Sequence, residues 1–294
     1  MKKILFIDAN NLCYRVFWTH RSLSHKGTSV SLLYGFFKAL VSIKKEFAEY
    51  TIVVVWDSKS QRRVAESELA VTQGTIESSY KSNRQTGERD EEFEQMFKQM
   101  HTLREKLELV NVNQVFLKGF EADDIIYSYC KTLEDSDIIA ITSDKDYYQM
   151  LSSNVKIWDA MKKKMWTKEV FMNEYGIEPS LWVDVGAISG DKSDNIHGAV
   201  GWGDVTSLKY VKEYGTMENV IAAVEAKTTR SKKEEALLSF KERLKIAKSL
   251  KQMDLIQPLP EIFHNLTRDK KPLQEYFISS GFGSLMLDIP TLVR

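Results

Sequence analysis

Four short runs rich in Val, Ile and Phe, at Lys3 to Ile7, Thr51 to Trp56, Gln114 to Leu117 and Asp137 to Ile141, read as strands. Between them, Ser31 to Phe47, Glu91 to Leu109 and Glu121 to Leu133 repeat apolar residues at helical spacing. This alternation leaves few folds open. Neighbouring parallel strands need a crossover, so the pattern predicts an α/β fold with a mostly parallel sheet flanked by helices. In such sheets ligands bind beyond the carboxyl ends of the strands. Asp8, Asp57 and Asp144 each fall at or just after such an end.

Six further acids can reach the same place. Gly119-Phe120-Glu121-Ala122-Asp123-Asp124 lies between a strand and a helix, so three acids occupy the first helical turn, where the macrodipole favours negative charge. One of them is an ordinary cap. Three in four residues exceed what a cap needs. Asp146 follows Asp144 by two positions, and Asp191 and Asp194 stand in a glycine-rich loop. Nine carboxylates brought together repel and raise one another's pKa until hard divalent cations neutralise them. Metal-dependent attack on phosphodiesters is the chemistry that most often needs such a pocket.

The 294 residues, 43% hydrophobic and 28% charged, are ordinary for a globular chain able to bury one large core and a smaller satellite. No apolar run is long enough for a bilayer, and the start MKKILFIDANN lacks a cleavage site, so a cytoplasmic protein without a membrane partner is expected. Cys13 and Cys130 show no metal spacing and are expected reduced. Forty-one basic and 41 acidic residues cancel. If the nine acids are sequestered with metal, the remaining surface is net basic. Lys162 to Lys164, Arg230, Lys232, Lys233, Arg243, Lys245, Lys248 and Lys251 then become candidates for phosphate contact. Each alone reads as a solvated face.

From about Gly176 the pattern changes to helices and glycine-rich turns with no obvious strand. Gly198, Gly201 and Gly203 precede Asp204 to Tyr214, which reads as a helix. Such a loop lets the backbone approach a phosphate, and the helix start presents N–H groups to it. Upstream, Tyr80-Lys81-Ser82-Asn83-Arg84 places Lys81 and Arg84 three apart, either a solvent-facing basic turn or a phosphate clamp beside a stacking ring. Gln85 to Asp90 reads as an exposed bend.

Taken in order, Ile7-Asp8-Ala9-Asn10-Asn11-Leu12, Trp56-Asp57, Tyr80 to Arg84, Gly119 to Asp124, Thr142-Ser143-Asp144-Lys145-Asp146 and Gly190 to Gly203 resemble the 5′-nuclease family. That family includes flap endonucleases, the 5′-nuclease domain of bacterial DNA polymerase I and standalone bacteriophage 5′-exonucleases. The resemblance covers roughly residues 3 to 250, and the tail, with Lys271 to Phe277 and Gly281 to Leu285, is similar to that of phage enzymes acting as ribonuclease H. It implies a PIN-like catalytic domain over 1–175 with a helical arch at about 80–105. A helical helix-turn-helix DNA-binding domain over 176–260 and a tail over 261–294 packing back on the core would follow.

The resemblance also implies roles. Asp8, Asp57, Glu121, Asp123, Asp124 and Asp144 would hold a first Mg²⁺, and Asp146, Asp191 and Asp194, with Asp144 nearby, a second, Mn²⁺ being able to substitute. Lys81 and Arg84 would contact the scissile phosphate, Tyr80 would stack on the terminal base, and Arg15 would meet substrate near the entrance. Gly198 to Lys212 would grip duplex, with K⁺ at the turn. Here His197, Asp204 and Val205 depart from the family pattern, and Thr206, Lys209 and Lys212 are the substitute contacts. The expected substrates are DNA with a 5′ flap or end and RNA–DNA hybrid, cut during primer removal by a monomer in the cytoplasm, that of the host if phage-encoded. Single-stranded DNA-binding protein and the sliding clamp are candidate partners. A PIN-like ribonuclease and a non-catalytic structure-specific DNA-binding protein are the alternatives. The Gly190 to Gly203 loop argues against the first, and the retained acids against the second.

Overall fold

A computed structural model describes residues 1–84, 91–264 and 266–294. The sheet has six strands in the order Asn113–Phe116, Thr51–Trp56, Lys3–Asp8, Asp137–Ile141, Val155–Asp159 and Lys164–Trp166. All pairings are parallel except that of the last two. Both faces are covered, so Lys3–Asp8 and Thr51–Trp56 are apolar almost throughout. Alternate residues enter different cores. Leu5, Ile7, Ile52, Val54, Ile139 and Ile141 meet helices Ala9–Thr19 and Ser31–Glu46 together with the chain's end, through Leu273, Phe277, Phe282 and Leu292. On the opposite face Ile4, Phe6, Val53, Val55, Ile138 and Ala140 meet helix Ala122–Thr132 and the C-terminal helices, represented by Val211, Val220, Leu237 and Leu244. Cys13 and Cys130 are buried and unbridged.

The structure departs from the sequence reading in identifiable places. Val155–Asp159 and Lys164–Trp166 form an edge hairpin that was not expected, because their apolar residues are few and interrupted by lysines. Helix Gln61–Thr72 was also missed, since it buries only Arg63, Ser67 and Ala70 and carries no apolar stripe. Beyond Gly176, where no strand was expected, Gly190–Asp191 pairs antiparallel with Ile196–His197. Within the arch expected over about 80–105, the turn Ser82–Arg84 and helix Glu91–Lys106 are described, while 85–90 lie outside the described residues.

The small ladder explains two glycines. Gly190 has φ +77°, and a Cβ there would lie 2.3 Å from the Gly198 nitrogen. A Cβ on Gly198 would lie 2.3 Å from the Ser189 carbonyl carbon, whereas nothing stands within 4 Å of one on Gly203. Gly198 is therefore fixed by backbone packing, not left open for a phosphate. Gly198→Ala should lower stability by about 1–3 kcal/mol through overpacking, and Gly203→Ala by clearly less. Urea denaturation midpoints measure both, and equal midpoints would contradict this account.

Candidate active site

The carboxyl ends of the central strands open into a cleft of about 1220 Å³. Asp8, Asp57, Glu121, Asp144, Asp146, Asp191 and Asp194 line it, with Lys81 and Lys251 among them. Most of these acids are fixed because each begins a turn or helix and accepts its free backbone N–H groups. Asp8 caps helix Ala9–Thr19, accepting from Asn11 N–H at 3.0 Å, and its other oxygen accepts from the Tyr147 hydroxyl at 3.1 Å. Asp57 accepts from Ala122 N–H at 2.7 Å, which joins a strand end to the acidic helix start. Asp144 accepts from Asp146 N–H at 2.9 Å, and Asp191 from Ser193 N–H at 2.8 Å.

Crowding shifts the titration of these groups. Burial, then repulsion from Asp57 and Asp144, raises Asp8 to about 8. Asp144 and Asp57 reach solvent within the cleft, yet the surrounding protein still partly buries them. That burial raises Asp144 to about 7, with Asp146 adding, and Asp57 to about 6, with Glu121 adding. Burial also raises Asp146. Asp191 is the exception: burial opposes it, yet Lys251 and Ser193 hold it down at about 2. Carboxylate oxygens of Asp146, Asp191 and Asp194 lie within 4.8 Å of one another. Oxygen donors without His or Cys suit hard ions such as Mg²⁺ or Mn²⁺.

Two of the nine acids stand elsewhere. Asp123 and Asp124 do not line the cleft; they face Arg63, which is 1% exposed. Its Nη2 lies 2.7 Å from Asp124 Oδ1 and 3.2 Å from Asp123 Oδ2, and its Nη1 lies 2.7 Å from Glu121 Oε2. Asp124 is wholly buried and also accepts Asp254 N–H at 2.8 Å. The six acids expected around a first ion therefore divide into four in the cleft and two bound to a buried guanidinium. A polar helix interior gave no sign of this.

Tyr80 also differs from expectation. Its ring is 5% exposed, and its hydroxyl lies 2.9 Å from Glu121 Oε2 and 3.2 Å from Asp194 Oδ2. Little of the ring is open for a base to stack on, although Tyr80 is part of the cleft lining, and its hydroxyl joins two acidic segments. Tyr14, Phe93, Phe97 and Trp182 also line the cleft, and sequence spacing did not single them out. Lys81 has φ +53°, uncommon for a side chain with a Cβ. Its amide donates to the Asp194 carbonyl at 2.9 Å and its ammonium lies 2.8 Å from Glu121 Oε2. Arg84 closes the short turn Ser82–Arg84, and its side chain lies outside the described residues.

The expected DNA contacts form a separate group. Arg15 does not line the cleft; burial lowers its pKa and Asp159 opposes that effect. Gly198, Gly201, Gly203, Thr206, Lys209 and Lys212 are also outside the cleft lining, which this segment reaches only at Asp204. Gly203 caps helix Asp204–Tyr214, Lys209 is exposed, and the Lys212 stem lies across Gly176. Six of the basic residues read as phosphate contacts, Lys162, Lys164, Arg243, Lys245, Lys248 and Lys251, are paired with acids. Lys248 bonds Asp184 at 2.6 Å and Glu218 at 2.8 Å, and Lys251 bonds Asp146 and Asp191 at 2.7 Å each.

A mostly parallel sheet whose strand ends converge on hard oxygen donors, joined to a helical C-terminal region, fits the class of metal-dependent α/β nucleases. Comparison with known proteins narrows this. Residues 3–176 match the model of the 5′-3′ exonuclease N-terminal resolvase-like domain, and 177–273 that of the 5′-3′ exonuclease C-terminal SAM fold. A 5′-3′ exonuclease of Aquifex aeolicus is 33% identical over 82% of this chain and 81% of its own length. The chain belongs to the 5′-3′ exonuclease family, enzymes that hydrolyse phosphodiester bonds. Thermostable DNA polymerase I of Thermus thermophilus is 28% identical over 97% of the chain, which spans about one third of that relative's length. Among solved structures, T5 5′-exonuclease with bound zinc superposes with a TM-score of 0.71 at 20% identity, over 85% of this chain and 89% of its own. The catalytic core of Rad2 with DNA substrate gives 0.64 at 16% identity, over 99% and 93%.

Two outcomes are expected. Arg63→Met leaves buried carboxylates without a cation and should lower stability by about 3–5 kcal/mol; a loss under about 1 kcal/mol in chemical denaturation would contradict the ion-pair role. In chelator, folded Asp8, Asp144 and Asp57 hold protons up to about 8, 7 and 6, which the unfolded chain releases near 4. The folded state then binds more protons, so stability falls as pH rises through this window. The melting temperature in chelator should therefore rise between pH 8 and pH 6, and a fall would contradict the assignment.

Proposed function

We propose that this chain is a Mg²⁺-dependent, structure-specific 5′-nuclease that removes nucleotides from 5′ ends and cuts at 5′ flaps. Its substrates are DNA and the RNA strand of RNA–DNA hybrids, and its place is primer and flap removal in replication. The observation that carries the reading is one cleft with seven carboxylates and the Lys81 ammonium between its two acidic groups. Asp8, Asp57, Glu121 and Asp144 would hold one ion, and Asp146, Asp191 and Asp194 the other. When bound, the ions supply an activated water and charge stabilisation at the scissile phosphate.

The chain's own groups supply the rest. Lys81 offsets charge that develops on the phosphate oxygens, and its strained backbone aims the ammonium inward. Tyr14, Phe93 and Phe97 offer faces on which an unpaired base stacks, the part first expected of Tyr80. Gly201, Gly203 and the start of helix Asp204–Tyr214 approach the duplex backbone, with Thr206 and Lys209 beside them.

The test is digestion of a 5′-labelled flap duplex and an RNA–DNA hybrid, with Mg²⁺ or with chelator. Products are expected only with Mg²⁺, and Asp144→Asn should abolish them. Lys81→Ala should lower turnover by roughly 10²- to 10³-fold. Cleavage in chelator, or full activity of Asp144→Asn, would overturn the proposal.

A further inference from the structure

Lys251 ends helix Lys241–Lys251 and, unlike most lysines, is 6% exposed. Its ammonium stands 2.7 Å from Asp146 Oδ2 and 2.7 Å from Asp191 Oδ2. These are two of the three acids whose oxygens converge within 4.8 Å. An ion coordinated by both would need the oxygens that the ammonium now engages, or would stand beside a like charge. The lysine is also built in. Its stem passes over Gly186, where a Cβ would meet Cε at 3.0 Å, and its carbonyl accepts from Gln149 at 3.1 Å.

We propose that the Lys251 ammonium is the resident cation of the second-ion position, and that a second divalent ion enters only by displacing it from Asp146 and Asp191. The inference rests on the two-ion reading above. While metal-free, the ammonium neutralises part of the cluster and keeps Asp146 and Asp191 in place. The four-carbon stem lets the head swing away when an ion arrives. The second ion therefore binds more weakly than the first, because part of its binding free energy goes into moving the lysine. A lysine that only stabilised the fold would lower stability on removal and leave ion affinity unchanged or weaker.

The experiment counts bound Mn²⁺ in the full chain by loss of the free-ion electron paramagnetic resonance signal. The unmodified protein should show one strong and one weak class. In Lys251→Met the weak class should tighten by about tenfold or more. An unchanged or weaker second class would overturn the proposal. A second readout does not depend on that variant folding: the ¹³Cε resonance of Lys251, identified by its loss in Lys251→Arg, should move with the second equivalent of Mg²⁺ and not with the first. A resonance that stays fixed through both equivalents overturns it too. A chain that cuts flaps with Mg²⁺ but keeps its second class in Lys251→Met refutes the lysine inference and leaves the nuclease reading intact. Absence of Mn²⁺ binding in both forms refutes the inference together with its metal premise.

Discussion

Repulsion among carboxylates at the end of the sheet is the constraint to which the rest of this molecule answers. Acids this close raise one another's pKa and favour an open chain. The fold opposes that with three built-in cations from distant parts of the sequence. Arg63 serves Glu121, Asp123 and Asp124; Lys81 serves Glu121 and Asp194; Lys251 serves Asp146 and Asp191. Backbone N–H groups at turn starts do the rest, at Asp8, Asp57, Asp144 and Asp191. These contacts hold the acids of the cleft in place, while several of them keep values far above those of free carboxylates.

The three cations differ in depth, and depth separates their roles. Arg63 lies beneath the cleft floor, does not line the cleft, and makes its bonds with a rigid planar group. It stiffens the base on which Glu121 stands. Lys81 and Lys251 both line the cleft and carry flexible stems, so each can exchange a carboxylate for something else. In the proposed reading, the exchange partner of Lys81 is the substrate phosphate and that of Lys251 a second ion.

Much of the fold was legible because it is written in local periodicity. Four of the six sheet strands, and the helices Ser31–Glu46, Glu91–Lys106 and Ala122–Thr132, follow from apolar spacing, and so does the placement of Asp8, Asp57 and Asp144 at strand ends. The edge hairpin was not legible, since Lys156, Lys163 and Lys164 break the apolar signal of short strands. Nor was the pairing inside the site. Arg63 meets its acids across 58 to 61 residues and Lys251 across 60 and 105, distances over which spacing carries no information. Tyr80 shows the same limit: its place beside Lys81 in the chain suggested a stacking ring, but acceptors on Glu121 and Asp194 draw it inward.

The same pairing changes how the charge balance should be read. A chain with 41 basic and 41 acidic residues has no formal surplus. Setting aside the nine acids of the cluster leaves a strongly basic remainder, but Arg63, Lys81 and Lys251 must be set aside with them. The remainder then holds six more cations than acids. Some of these are engaged too, as Lys248 is with Asp184 and Glu218. Attraction for a polyanion therefore rests on fewer groups than composition implies, and position matters more than number. Lys209, exposed on the helix that Gly203 caps, stands beside backbone donors that a phosphate can also use. A few cations placed next to N–H groups can orient a duplex toward the cleft without a large uniform positive field.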